Sequence, residues 1–189
     1  MILNTLIDKK LKLHENNFFV QKLKFKNISS NYFNWFNDIQ ARNFIISTYR
    51  SKKELFNFIK LDLKNKNSIY IGIFNLKKKH IGNIKFHDLN LRNKSIWLGV
   101  FIGEKKFRNL GINSKAIRLI SGYLFNEFGI ENFYLKVDKN NIPAILSYKK
   151  SGFSVIKKYK KAYLMKMNIK EFKLILGTAQ FGSPYGTTY

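Results

Sequence analysis

The 189-residue chain contains no cysteine. Disulfides, thiolate metal sites and a cysteine nucleophile are therefore excluded. Its three histidines, His14, His80 and His87, lack the close spacing of a metal motif, so no metal is expected. No apolar run is long enough to cross a bilayer, and the opening MILNTLIDKKLKLHENN is broken by charges too early for a secretory signal. A soluble, cytoplasmic protein with no membrane partner is expected. Carboxylates are scarce as well: 11 Asp and Glu face 35 Lys and Arg, for a formal charge of +24. Such a surface favours anionic ligands over cationic ones. Nucleic acid is not the expected partner. The lysines run with Asn, Ile, Phe and Tyr along the whole chain, a compositional bias without a clustered patch or a known nucleic-acid module.

What the chain has is 45% hydrophobic residues, 16% of all residues being aromatic, enough for one sizeable core and one domain. FFVQKLKF (Phe18 to Phe25) reads as a strand. SSNYFNWFNDIQARNFI (Ser29 to Ile45) offers Ser caps and apolar Tyr32, Trp35, Phe36 and Ile39 at helical spacing. Ser51 followed by Glu54 is a capping box, in which each side chain satisfies the other's orphan N–H and starts a second helix. SIYIGIF, HIGNIKFHDL and SIWLGVFIG, separated by the turns NLKKK and NLRNK, form a three-strand meander. Ala116, Ile117, Ile120, Leu124 and Phe128 then recur at helical spacing up to Gly129. NFYLKV is a short buried strand, IPAILSYKKSG a short helix with Pro143 in its first turn, and FSVIKKY with AYLMKMNI a last pair of strands. The order is β, α, α, β, β, β, α, β, α, β, β.

The chemistry concentrates where FRNLGIN runs into the Ala116 helix. A helix N-terminus offers unpaired N–H groups and a partial positive charge, so a loop feeding it can cradle a phosphate. Gly111 allows close backbone approach, Arg108 adds a permanent charge, and Asn113 or Ser114 can cap. The same residues also suit an ordinary helix start, and the loop alone leaves both readings open.

Two spaced motifs, in the right order and inside the right element order, resemble the GNAT family of acyl-CoA-dependent N-acyltransferases. The family's loop pattern is Arg or Gln, two residues, Gly, one residue, then Gly or Ala, and its places are taken by Arg108, Gly111 and Asn113. Its second pattern is met by Asn141, Ala144, Ile145, Tyr148, Gly152 and Phe153. Asn113 departs from the family's preference for almost no side chain. The resemblance covers about Phe18 to Ile169. It implies an α/β (α+β) fold, with one mixed, mostly antiparallel sheet of about six or seven strands. About four helices would flank that sheet, and a splay would open between the two strands that hold acetyl-CoA. Residues 1–17 would be an N-terminal extension and 18–170 the acetyltransferase domain.

By the same resemblance the amine attacks acetyl-CoA directly in a ternary complex. Backbone groups around Phe101, Ile102 and Gly103 would hold the pantetheine arm. Amides of Arg108, Asn109, Leu110, Gly111, Ile112, Asn113 and Ser114 would hold the pyrophosphate, and Asn141 would steady the arm. Tyr148 would protonate the departing sulfur. Among the carboxylates, Glu104 at the carboxyl end of the acetyl-bearing strand is the candidate base, with His87 and Asp88 as rivals and water-mediated deprotonation as the other route.

The layout resembles the ribosomal-protein, polyamine and amino-sugar subgroup, and VDKNNIPAILSYKKSGF has a polyamine-acetyltransferase look. The positive surface favours a nucleotide-linked amino sugar of the pseudaminic-acid type in surface-polysaccharide synthesis over a polyamine or a basic protein N-terminus. A non-catalytic acyl-CoA- or nucleic-acid-binding module is the alternative of another class. The tail KLILGTAQFGSPYG, within 171–189, resembles the opening strand and turn of aldo/keto reductases. Their barrels need roughly 250 residues, so the tail reads as a fused or truncated reading frame, with a chance apolar tail as the alternative.

Overall fold

The computed structural model describes residues 11–38 and 49–171. Its strands are β1 (Lys12–Glu15), β2 (Phe18–Lys22), β3 (Ser68–Asn75), β4 (His80–Asn90), β5 (Ser95–Ile102), β6 (Asn132–Asp138), β7 (Ser154–Lys158) and β8 (Ala162–Asn168). The helices among these residues are α1 (Tyr32–Phe36), α2 (Lys52–Asp62), α3 (Ile112–Phe128) and α4 (Ile142–Lys150). The expected aldo/keto-reductase-like tail beyond residue 171 and the 39–45 part of the first expected helix lie outside the described residues.

All eight strands join one sheet in the order β1-β2-β3-β4-β5-β6-β8-β7. Every pairing is antiparallel except β5 with β6. The mixed, mostly antiparallel architecture agrees with expectation, with one strand more than the six or seven anticipated. The addition is β1, inside the stretch expected to be an extension. It pairs with β2 across Asn16 and Asn17, Glu15 standing opposite Phe18. Two turn-forming Asn residues between β-capable segments carried that signal.

Alternation along the strands sends two sets of side chains to opposite faces. One set includes Ile69, Ile71 and Ile73 of β3, Ile96 and Leu98 of β5, and Phe133 and Leu135 of β6. These pack with Ile112, Ala116, Ile117, Ile120 and Leu124 of α3 and with Ile145 and Tyr148 of α4. On the other face Tyr32 and Trp35 of α1 cluster with Leu55 and Ile59 of α2 and with Phe101 of β5. The capping box of α2 is realised in a shifted form. Ser51 Oγ accepts from Glu54 N at 3.1 Å, and the Glu54 carboxylate accepts from Arg50 N at 2.8 Å, one residue before the cap.

Beneath α1 lies a polar chain. His80 Nδ1 accepts from Ser29 N at 3.2 Å, which puts the ring proton on Nε2, 2.7 Å from Asn83 Oδ1. Asn83 Nδ2 in turn donates to the Tyr32 hydroxyl at 2.8 Å. Burial pushes the His80 pKa down to about 4, outweighing the upward pull of its Asn83 and Gly82 hydrogen bonds and of the Glu104 charge. Unfolded, the ring titrates at 6.5. Between these values the unfolded chain binds a proton that the folded one refuses, so stability falls as pH drops from about 6.5 towards 4. The loss amounts to about 3 kcal/mol over that window. His80→Gln should flatten this part of the stability curve in urea titrations at stepped pH. A wild-type slope retained by the variant would refute the account.

Candidate active site

The sheet comes apart at one place. β5 and β6 pair in parallel only at Ser95 with Asn132, Ile96 with Phe133 and Trp97 with Tyr134. Beyond that, β5 continues to Ile102 and β6 to Asp138. Each stays bonded on its outer side, to β4 and β8. The facing edges of Leu98–Phe101 and Leu135–Asp138 therefore bound a cleft lined by backbone groups, the form in which a sheet presents donors and acceptors to an extended ligand. Trp97 and Tyr134, stacked with centroids 5.6 Å apart, mark its closed end.

At the open end the chain passes through a 3-10 turn, Lys105–Phe107, into α3. Asn109 and Gly111 have φ of 61° and 72°, a left-handed geometry that turns successive N–H groups to one side. The amides of Asn109, Leu110, Gly111, Ile112, Asn113 and Ser114 donate to no acceptor among the described residues. Neither candidate cap closes the helix. Ser114 Oγ donates to the Gly111 carbonyl at 3.0 Å, and Asn113 Oδ1 is buried without a partner. An uncapped N-terminus of a 17-residue helix, with six open donors, fits a diphosphate. A Cβ at Gly111 would meet nothing within 4 Å, so glycine serves its φ and leaves the space outside clear.

Arg108 departs from its expected role. Its amide donates to Lys105 O at 3.0 Å. Its guanidinium turns inward, with Nε on Ile102 O and Nη2 on Gly103 O, each at 2.9 Å, and Nη1 on Asp38. Asn109 through Ser114 are thus the open part of the expected cradle. The Gly103 carbonyl is engaged in the same way and its amide donates to Ile81 O at 3.0 Å. The free edge expected at Phe101, Ile102 and Gly103 accordingly moves back towards Leu98–Phe101.

Asn141 caps α4, its Oδ1 accepting from Ala144 N at 3.3 Å, which leaves its Nδ2 as the group able to reach a ligand. Tyr148 stands seven residues on, two turns along the same side of the helix. It is buried with its ring 6.0 Å from Phe153, and its hydroxyl has no hydrogen-bond partner among the described residues. Burial pushes its pKa up to about 12, so the phenol keeps its proton throughout the neutral range.

Glu104 is a different kind of group from the free base expected. Its Oε1 accepts from Asn31 Nδ2 at 3.1 Å and Trp35 Nε1 at 3.2 Å, and Oε2 lies 3.1 Å from Lys79 Nζ. Burial alone would raise its pKa, but these three donors hold it below the usual carboxylate range. A carboxylate so held is a poor proton acceptor at neutral pH. The rivals sit elsewhere: His87, whose Nδ1 is 2.9 Å from Asp88, pairs with Trp97 at the closed end of the cleft. Sequence reasoning did not single out Gly99, which is exposed on the α1 face of β5 with nothing within 4 Å of where its Cβ would be. Among the described residues there is no cluster of three metal-ligating side chains and no helix long and apolar enough to cross a membrane.

The fold has counterparts. Residues 27–154 match the family model described as an acetyltransferase (GNAT) domain. The chain belongs to the GNAT acetyltransferase family. A probable spermine N(1)-acetyltransferase of Bacillus subtilis subsp. natto is 28% identical over 67 residues, 35% of this chain and 44% of that protein. The chain thus matches less than half the length of this curated relative. A GNAT-family acetyltransferase from Bacillus anthracis superposes with a TM-score of 0.71 at 16% identity, over 85% of this chain and 99% of that one. Spermidine N-acetyltransferase from Vibrio cholerae, solved with CoA and spermine, gives 0.72 at 16% identity, over 84% and 99%. At that identity the likeness is one of fold.

Two glycines of this GNAT domain differ in what they guard. A Cβ on Gly103 would fall 1.8 Å from Trp35 Cδ2, whereas Gly111 has open space. Gly103→Ala should cost about 3 kcal/mol or more in urea unfolding by overpacking. Gly111→Ala should cost about 1 kcal/mol from its left-handed backbone. Equal losses would overturn the distinction.

Proposed function

We propose that the protein is an acetyl-CoA-dependent N-acetyltransferase that acts on a small amine by direct attack in a ternary complex. The observation that carries this is the uncapped cradle of Asn109 to Ser114 set at the mouth of the β5–β6 cleft. Its six unpaired amides suit the pyrophosphate, and the backbone edge of Leu98–Phe101 suits an extended amide-bearing arm. Bound there, acetyl-CoA supplies the activated acetyl group. The chain supplies the rest. β5 donors stabilise charge gathering on the thioester oxygen, Asn141 Nδ2 steadies the arm, and Tyr148, protonated and without a competing partner, gives its proton to the departing sulfur. With α3 and α4 on the opposite face, the amine enters over Gly99, where no side chain intervenes. Deprotonation of the amine is assigned to water rather than to Glu104, which three donors hold below the usual carboxylate range.

For the acceptor, an amine carried on an anionic group, such as a nucleotide-linked amino sugar, is the preferred class. The support is electrostatic. Asp38, Asp62 and Glu104, the buried carboxylates on the α1 face, each hold a Lys or Arg already. Among the described residues, a polycation would find no buried carboxylate without a cation on that face. The second reading, a polyamine, is favoured by the similarity to spermine acetyltransferases over 67 residues.

Thiol release from acetyl-CoA should be measured with nucleotide amino sugars, spermidine, and peptides beginning in Ala or Ser. Turnover confined to spermidine would reverse the preference. No turnover with any amine, CoA binding being intact, would replace the enzyme by an acyl-CoA-binding module. Tyr148→Phe should lower kcat about 10- to 100-fold with little change in either KM. Glu104→Gln should leave the pH–rate profile in place while lowering the melting temperature, and an acidic limb that moves would reinstate Glu104 as base.

A further inference from the structure

The segment from Asn31 to Asp38 is fastened to the coenzyme loop at both ends. At its start, Asn31 Nδ2 and Trp35 Nε1 meet one oxygen of Glu104. At its finish, Asp38 receives Nη1 of Arg108 on one carboxylate oxygen and Lys105 Nζ at 3.2 Å on the other. Between them, the Trp35 ring fills the space that a side chain at Gly103 would take. Arg108 is the hub. Three of the five N–H donors of a guanidinium are used, two on the carbonyls that end β5 and one on the segment that follows α1. The side chain is one-fifth exposed and its fork is closed over the protein's own oxygens.

From this we infer that Arg108 is a positioning residue that locks α1, on the acceptor side of the sheet, to the end of β5. Coenzyme recognition then falls to the amides that follow it. The inference rests on the proposed acetyl transfer only in taking the α1 face as the side from which the amine arrives. A planar fork is required, because one cation must meet two carbonyls and a carboxylate in fixed directions, which a lysine ammonium on a flexible stem does not do. Asp38 is buried, and although burial raises its pKa, Arg108 and Lys105 hold it below the usual range, so the clasp stays charged at neutral pH.

The test compares Asp38→Asn, Arg108→Gln and the double variant with the wild-type protein. Three quantities are followed: the CoA dissociation constant and its salt dependence by calorimetry, acceptor KM, and melting temperature. Asp38→Asn and Arg108→Gln should each raise acceptor KM about tenfold while changing CoA affinity less than about threefold. The double variant should be no worse than the poorer single, as expected for two halves of one contact. The salt slope of CoA binding should stay at the wild-type value in both, because no charge on the pyrophosphate has been removed. A tenfold loss of CoA affinity with a shallower salt slope in Arg108→Gln, and none in Asp38→Asn, would make Arg108 a pyrophosphate ligand and overturn the inference. Calorimetry needs no turnover, so the CoA measurements decide this point even if no acceptor is found. An absence of turnover in the wild type bears on the proposed activity alone. If Arg108→Gln does not fold, an acceptor KM unchanged in folded Asp38→Asn overturns the inference by itself.

Discussion

Everything at the site depends on two neighbouring strands ceasing to be neighbours. A parallel pair held at three positions and then released leaves polar backbone on both edges, which in a protein interior is costly unless something else accepts and donates there. Antiparallel partners on the outer sides, β4 and β8, hold each strand in place so that the separation does not unravel the sheet. The apolar residues of β5 and β6 go on packing against α3 and α4 on one face. The cleft is therefore supported on both sides, and its unsatisfied groups suit an extended, amide-rich ligand.

The opposite face solves a different problem. α1 is only five residues long, too short to be stable alone. Its position is fixed by side chains committed to it from the sheet and the loop: Glu104, Arg108, and the His80–Asn83–Tyr32 chain. Burying Glu104 and Asp62 would be destabilising without partners. Each receives three donors, Asp62 from Ser68 at 3.3 Å and from Tyr70 and Lys85 at 2.5 Å. Both carboxylates are held by internal donors. In a chain with 11 acids against 35 bases, that leaves few for catalysis.

Much of this was legible in the residues, for identifiable reasons. The α3 stripe, the Ser51 cap and the meander follow local rules of periodicity and capping, and the Asn141 to Phe153 spacing carries a helix start and a hydroxyl two turns later. The strand count was short by one because β1 has only four residues, and their pattern is weaker than the Asn pair that turns it. Arg108 and Glu104 make contacts that the sequence does not announce. A sequence shows which side chains a loop owns, but their partners, Asp38, Asn31 and Trp35, lie about 70 residues away and arrive only through the fold. Asn113 is the converse case: its departure from the family pattern was visible, and the structure adds that it leaves the helix uncapped.

The large positive charge and the anion cradle are physically separate. The cradle is made of neutral amides and a helix dipole, which act over a few ångströms and select by geometry. Three of the nearby cations are occupied otherwise: Lys105 pairs with Asp38, Lys106 lies 5.3 Å over the ring of Phe107, and Arg108 faces inward. Lysines spread over the rest of the surface raise the local concentration of any anion without distinguishing one from another, an effect screened within about 10 Å at ordinary salt. On the proposed reading, specificity for a diphosphate would reside in the φ angles of Asn109 and Gly111 more than in the charge that dominates the composition.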